Sequence, residues 1–348
     1  MNTGNRAGRY GIASLWCIAH FALEVICFQY YYLYFRSAAI AAFISMGYDL
    51  VAFLPQVFIG SFTDEHKKFR PGYAGAALVF AGLFLNIAPL PRLLPFLLIS
   101  AGNAFVHVGG AKDTLDTCGD KLSPPAIFVA GGSVGVITGR LLGSHDKPVI
   151  IGAVIMAAGV LCIFLSDRIK AKMAETSPAA YDIADCRRSI PVIAALSFFV
   201  VAARGLTGYG IPTNWANVEL HSVLLFCGMG LGKALGGIFS DIFGAKKTAL
   251  VSTALSLPLI FLGADNMVIS LFAVTLFSMT MATTLGILVS VFPKTPVTAY
   301  GITVAGLLFG SMFVFIKPFC PVLFGPVVIT LLMISVFCSL MYIMKRDK

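Results

Sequence analysis

Gly60-Ser61-Phe62-Thr63-Asp64-Glu65-His66-Lys67-Lys68-Phe69-Arg70 and Gly237-Ile238-Phe239-Ser240-Asp241-Ile242-Phe243-Gly244-Ala245-Lys246-Lys247 are two copies of one pattern: a glycine, an aspartate four residues on, then basic residues. The copies lie about half the chain apart, and each ends an apolar run. A glycine there lets a neighbouring helix approach closely, and the carboxylate is placed to receive backbone N–H groups or a basic side chain. One copy alone reads equally well as a helix stop with lysines beyond it. Two copies at equivalent positions predict duplicated halves and a gate built on Gly60, Asp64, Lys68, Gly237, Asp241, Gly244 and Lys246.

The chain around them is written for lipid. Of 348 residues 58% are apolar and only 12% are charged, and the mean hydropathy is +0.89. A helix needs about 20 mostly apolar residues to cross the hydrocarbon core. Runs of that kind follow one another at roughly 11–35, 38–60, 72–89, 92–110, 123–143, 148–166, 189–211, 217–239, 248–264, 267–291, 297–316 and 321–344. The first run has no small-residue cleavage site and reads as an anchor in a chain that starts near Met1. The polar stretch 167–188 divides the spans into two sets of six. The expected organisation is therefore an N-terminal six-helix bundle at 1–166, a linker at 167–188 and a C-terminal six-helix bundle at 189–348. The eight cysteines stand singly with no CxxC pair, as free thiols do, and supply no zinc motif. No metal or cofactor is expected, and the net charge of +9 reflects topology, with no nucleic-acid partner.

Basic residues are retained on the cytoplasmic side of a membrane. With the N-terminus inside, 18 Lys and Arg fall on that side: Arg6, Arg9, Lys67, Lys68, Arg70, Lys112, Lys121, five linker residues, Lys246, Lys247, Lys294, Lys345, Arg346 and Lys348. Arg36, Arg92, Lys147 and Lys317 fall on the other, and Arg140, Arg204 and Lys233 remain inside spans. Both termini are thus expected in the cytoplasm.

Span number, linker and repeat position together resemble the major facilitator superfamily over essentially the whole chain. The pattern departs from that family's signature where Glu65 and Ile242 follow the aspartates and Lys67 stands in place of glycine. The resemblance implies a multi-pass protein of the cell membrane, monomeric, that moves a small-molecule substrate by alternating access between two pseudo-symmetric bundles around a midplane site. It implies no enzymatic activity. Gly131, Gly135, Gly139 and Gly143 on span 5, and Gly228, Gly232 and Gly236 on span 8, form small-residue stripes. In the family those spans meet across the two halves, so the stripes are expected at the moving interface; static helix packing is the other reading. The span 5 stripe is similar to the glycine-rich motif of drug exporters without its proline. The segment Gly102-Asn103 to His107-Val108-Gly109-Gly110 is faintly similar to the fosmidomycin-resistance branch. Together they favour export of an organic anion or drug.

An ionisable residue inside a span costs about 2.5–3.5 kcal/mol on insertion scales, so each invites a function. Glu24 and His20, one helical turn apart, together with Asp49, Asn103, His107, Arg204 and Lys233, are the candidates for a substrate and proton pathway. Glu24 is expected to take up protons, and Arg204 and Lys233 to attract an anionic group. Buried ion pairs holding the bundle together would use the same residues. No HExxH, GxSxG or P-loop is present. A polytopic enzyme or a channel is the alternative to a carrier.

Overall fold

In lipid every backbone polar group must be satisfied within its own segment, which favours helices. The computed structural model of the chain describes residues 3–173 and 175–345, and all its regular elements are helical. Ala174 of the linker and Arg346 and Lys348 of the charge count lie outside the described residues. The spans are 1 (Thr3–Tyr34), 2 (Ala41–Glu65), 3 (Pro71–Leu85), 4 (Leu93–Leu115), 5 (Ser123–Ser144), 6 (Ile150–Lys172), 7 (Ile190–Gly210), 8 (Glu219–Phe243), 9 (Ala245–Leu262), 10 (Met267–Val291), 11 (Pro296–Ile316) and 12 (Pro326–Ile343). Eleven are long and apolar enough to cross a membrane; span 3 is the shorter one, carried on by hydrogen-bonded turns to Ala88. Proline stands in the first turn of spans 3, 5, 7, 11 and 12, where its missing N–H costs nothing. Large apolar side chains such as Phe43, Phe58, Phe84 and Val327 face outward, while Glu24, Asn103, His107 and Arg204 are buried. That inside-out distribution makes this a multi-pass membrane protein.

Several ends differ from the expected ones. Span 1 starts at Thr3, span 4 runs to Leu115, span 6 to Lys172 and span 8 to Phe243. Charged residues bar a segment from lipid, but Lys and Arg are good helix formers, so Arg168, Lys170 and Lys172 sit, with Asp167, on the last turns of span 6 rather than in a loop. Span 2 is interrupted at Leu54 and Pro55, and span 10 at Met279. Pro55 accounts for the first break by withholding an N–H.

The packing repeats with a shift of six spans. Span 1 lies against 4, 5 and 6 as span 7 lies against 10, 11 and 12; spans 3 and 4 pair as 9 and 10 do; span 2 meets 4 as 8 meets 10. The halves meet chiefly through span 5 on span 8 and span 11 on span 2, the same pairing seen twice.

The glycine stripes lie elsewhere than at that interface. A side chain at Gly135 would meet Glu24 Cβ at 2.8 Å and one at Gly139 would meet Gln29 N at 2.9 Å, so Gly131, Gly135, Gly139 and Gly143 seat span 5 on span 1. Gly228, Gly232 and Gly236 likewise seat span 8 on Thr275, Ser278 and Met279 of span 10. This corrects the interface reading: a four-residue stripe marks one helix face but not its neighbour, and the smallest neighbour distance is within each half. Glycines that do cross between halves include Gly230, against Ala130, Gly60 and Gly237 of the repeats, Gly286, against Leu122, and Gly301, against Gln56 and Val57. Gly139→Val is expected to destabilise the protein strongly, on the scale of overpacked cores at about 1–3 kcal/mol or more. Gly208→Ala, where an added methyl meets nothing within 4 Å, should leave it unchanged or slightly stabler. Melting temperatures in detergent check both.

Candidate functional site

Each repeat aspartate caps a helix of the opposite half. Asp64, at the end of span 2, accepts from Val297 N (3.3 Å), Thr298 N (2.8 Å) and Thr298 Oγ1 (2.7 Å) at the start of span 11. Asp241, at the end of span 8, accepts from Leu122 N (2.7 Å), Ser123 N (3.1 Å) and Ser123 Oγ (2.5 Å) at the start of span 5. A carboxylate at a helix N-terminus satisfies orphan N–H groups and meets the positive end of the dipole. The repeat glycines permit the approach: Gly60 abuts Val297 O, and Gly237 abuts Leu122 O and the Cα of Ser123. The two caps therefore join the halves on the face of the bundle that carries both repeats.

The basic residues of the repeats divide. Lys67, not Lys68, approaches Asp64, at 3.8 Å, and Lys68 is exposed with no bond among the described residues. Lys246 donates to Lys345 O at 3.0 Å and so ties span 9 to the end of span 12. Gly244 turns the chain from span 8 into span 9 at φ 92°, a conformation that L side chains rarely adopt. Behind the first repeat, Lys170 bridges Asp113 (2.8 Å) and Asp116 (2.9 Å), Trp16 Nε1 donates to Asp113, and Arg70 pairs with Asp167.

Deeper, the N-terminal half encloses a polar cluster. Glu24, only 3% exposed, lies 3.6 Å from His20 Nε2 and 3.5 Å from His107 Nε2, both measured to Oε1. Asn103 Nδ2 donates to the same oxygen at 3.0 Å and lies 3.0 Å from Tyr48 Oη, which reaches Glu24 Oε2 at 3.4 Å. His20, Glu24, Asn103 and His107 thus come together, and Tyr48 and Cys27 join them without having been singled out in the sequence. A phenol and a thiol on apolar spans carry no signal of their own until a carboxylate is placed beside them. Asp49 follows Tyr48 but stands apart from this cluster: it is partly exposed and makes no hydrogen bond or ion pair among the described residues.

On the other half Arg204 is 9% exposed and has no hydrogen-bond or carboxylate partner among the described residues. It lines a cleft between the halves with Val129, Leu285, Tyr300, Thr303 and Val304. Lys233, from span 8, donates to Ser133 Oγ of span 5 at 2.8 Å and has no carboxylate partner either. Cations buried at membrane depth outside any ion pair are costly, and an anion that joins them would lower that cost.

Twelve helical spans, in two six-helix bundles related by a repeat and joined on one face by reciprocal helix caps, are the fold of the major facilitator superfamily. Among solved structures the chain is similar to the Escherichia coli fucose:proton symporter FucP, at TM-score 0.65 and 15% identity over 97% of each chain. It is also similar to FucP described as a major facilitator superfamily transporter in the outward conformation, at TM-score 0.61, 15% identity and 97% of each chain. At that identity the likeness is one of fold. No protein-family model and no curated protein sequence matches the chain.

Proposed function

We propose that the protein is a secondary active transporter that moves a small organic anion by alternating access, its two bundles rocking about the cleft that holds Arg204. The carrying observation is the buried pair of cations of the C-terminal half, Arg204 and Lys233, neither in an ion pair among the described residues, with Arg204 lining the cleft and Lys233 reaching Ser133 of the opposite half. With basic residues inward, the gate closed by Asp64 and Asp241 is the cytoplasmic one and both termini are cytoplasmic. The halves are 1–166 and 189–348, joined by the linker. A monomer contains the whole site, and the membrane is the cell membrane. The direction of transport follows from the gradients, since a carrier runs either way. A thermal-shift screen of the purified protein against organic acids, sugars, amino acids and antibiotics tests the substrate class. Saturable shifts confined to carboxylates or phosphates support it, and shifts from lipophilic drugs alone replace it with multidrug export.

Proton coupling belongs to Asp49 in this reading. Glu24 is sealed from water among His20, Asn103, His107 and Tyr48, whereas Asp49 is partly exposed and makes no hydrogen bond or ion pair among the described residues, which suits it to exchange a proton. The fold neighbour is itself a proton symporter. Asp49→Asn, which imitates the protonated acid, is expected to abolish accumulation driven by a pH gradient while leaving exchange of substrate for substrate. Reconstituted flux with and without the gradient checks this, and undiminished pH-driven accumulation in the variant sinks it.

A further inference from the structure

The enclosed cluster around Glu24 has a geometry that hydrogen bonding alone does not account for. His20 Nδ1 lies 3.2 Å from Phe128 O, and His107 Nδ1 lies 3.0 Å from Asn103 O. A carbonyl only accepts, so each ring carries a hydrogen on Nδ1, and in the neutral tautomer Nε2 is left with a bare lone pair inside the cluster. Both Nε2 atoms lie close to one carboxylate oxygen, Glu24 Oε1, at 3.6 and 3.5 Å. Three electron-rich atoms within 4.8 Å of one another repel unless positive charge sits among them.

We propose that His20, Glu24 and His107 form a binding site for one divalent first-row transition ion, for which Zn2+ is the reference. The two separations to Glu24 Oε1 fit. Bonds of about 2.0–2.1 Å to nitrogen and about 2.0–2.2 Å to oxygen at a tetrahedral centre set ligand atoms roughly 3.3–3.4 Å apart. A proton shared between imidazolium and carboxylate would draw the two atoms to about 2.7–2.9 Å, well inside the distances here. The orienting groups are also in place. Ligating imidazoles characteristically give their other N–H to a carbonyl or carboxylate, as both rings do, and a ligating carboxylate is itself hydrogen-bonded, as Glu24 is by Asn103 and Tyr48. Two imidazoles and one carboxylate suit zinc, cobalt, nickel or iron, not calcium or magnesium. The ion leaves the carboxylate compensated within its own half, and a water or small ligand would complete its coordination. Gly132 packs its backbone against the His20 ring, so any side chain there displaces a ligand. The site does not depend on what the chain carries.

The test uses the full chain, purified without a polyhistidine tag, stripped with chelator and titrated with Co2+ in detergent. The expected result is one equivalent bound with the intense visible absorption of a four-coordinate cobalt ion, displaced by one equivalent of Zn2+. His107→Gln and His20→Gln should each weaken binding by at least tenfold, in keeping with loss of one ligand, and His145→Gln on the surface should not. Wild-type protein that binds no cobalt, or shows only the pale absorption of a six-coordinate ion, overturns the site whether or not the variants fold. Undiminished binding in folded His107→Gln overturns it equally.

Discussion

Replacing both gate aspartates, Asp64→Ala with Asp241→Ala, is expected to open the closed face of the protein. Each carboxylate holds two backbone N–H groups and one hydroxyl of the opposite half. Hydrogen bonds to a charged group contribute about 1.5–3 kcal/mol each, and about 1.4 kcal/mol shifts a two-state equilibrium tenfold. Even with water compensating most of the loss, the population should move by tenfold or more toward the state open on that face. Spin labels at Lys68 and Lys294, both exposed on that face, report it once the exposed Cys186 and Cys338 are removed. A new, longer distance component in the double variant is the expected outcome. An unchanged distribution would mean that the caps only finish helices 5 and 11 and hold nothing shut. The single variants should each show a partial shift, because the two caps repeat one contact across the pseudo-symmetry.

The second large effect is on Arg204. Arg204→Ala is expected to weaken binding of an organic anion by about 10- to 100-fold, the loss that follows from removing charge-assisted hydrogen bonds worth about 1.5–3 kcal/mol. Arg204→Lys should recover only part, since an ammonium keeps the charge but not the planar fork that holds a carboxylate with two bonds. The ligand-free protein provides an independent sign. If Arg204 is an unpaired, desolvated cation, removing it should leave the melting temperature unchanged or raise it; were it a structural ion pair, stranding its partner would lower stability by several kcal/mol. Ligand titration and ligand-free melting of the same three proteins separate the two.

Much of this architecture is legible in the sequence because it depends on length and period. Apolar runs long enough for lipid, a repeat at half the chain and lysines gathered beyond each aspartate lead to twelve spans and two bundles without reference to any contact. His20 and Glu24 share a face by helical spacing alone, as do Asn103 and His107, and the structure puts all four together. What spacing does not carry is the identity of a distant partner. Asp241 meets Leu122 and Ser123, and Asp64 meets Val297 and Thr298, through packing of one half on the other. The glycine stripes show the same limit: they announce close contact, and only the packed bundle shows that the contact is with spans 1 and 10. Helix ends beyond the lipid, as on span 6, escape a reading based on hydropathy because a charged helix looks like a loop to it. The break at Met279 has no proline or glycine beside it and left no trace in the pattern.

The central claim is that the cleft between the halves is an alternating-access site for an organic anion. Counterflow into liposomes loaded with one unlabelled carboxylate at a time, using protein reconstituted with Arg204 intact or replaced by alanine, tests it most directly. Saturable accumulation of the labelled anion, driven by the unlabelled pool and lost in Arg204→Ala, is the predicted result. Flux that neither saturates nor exchanges, or exchange that is indifferent to Arg204, would contradict it.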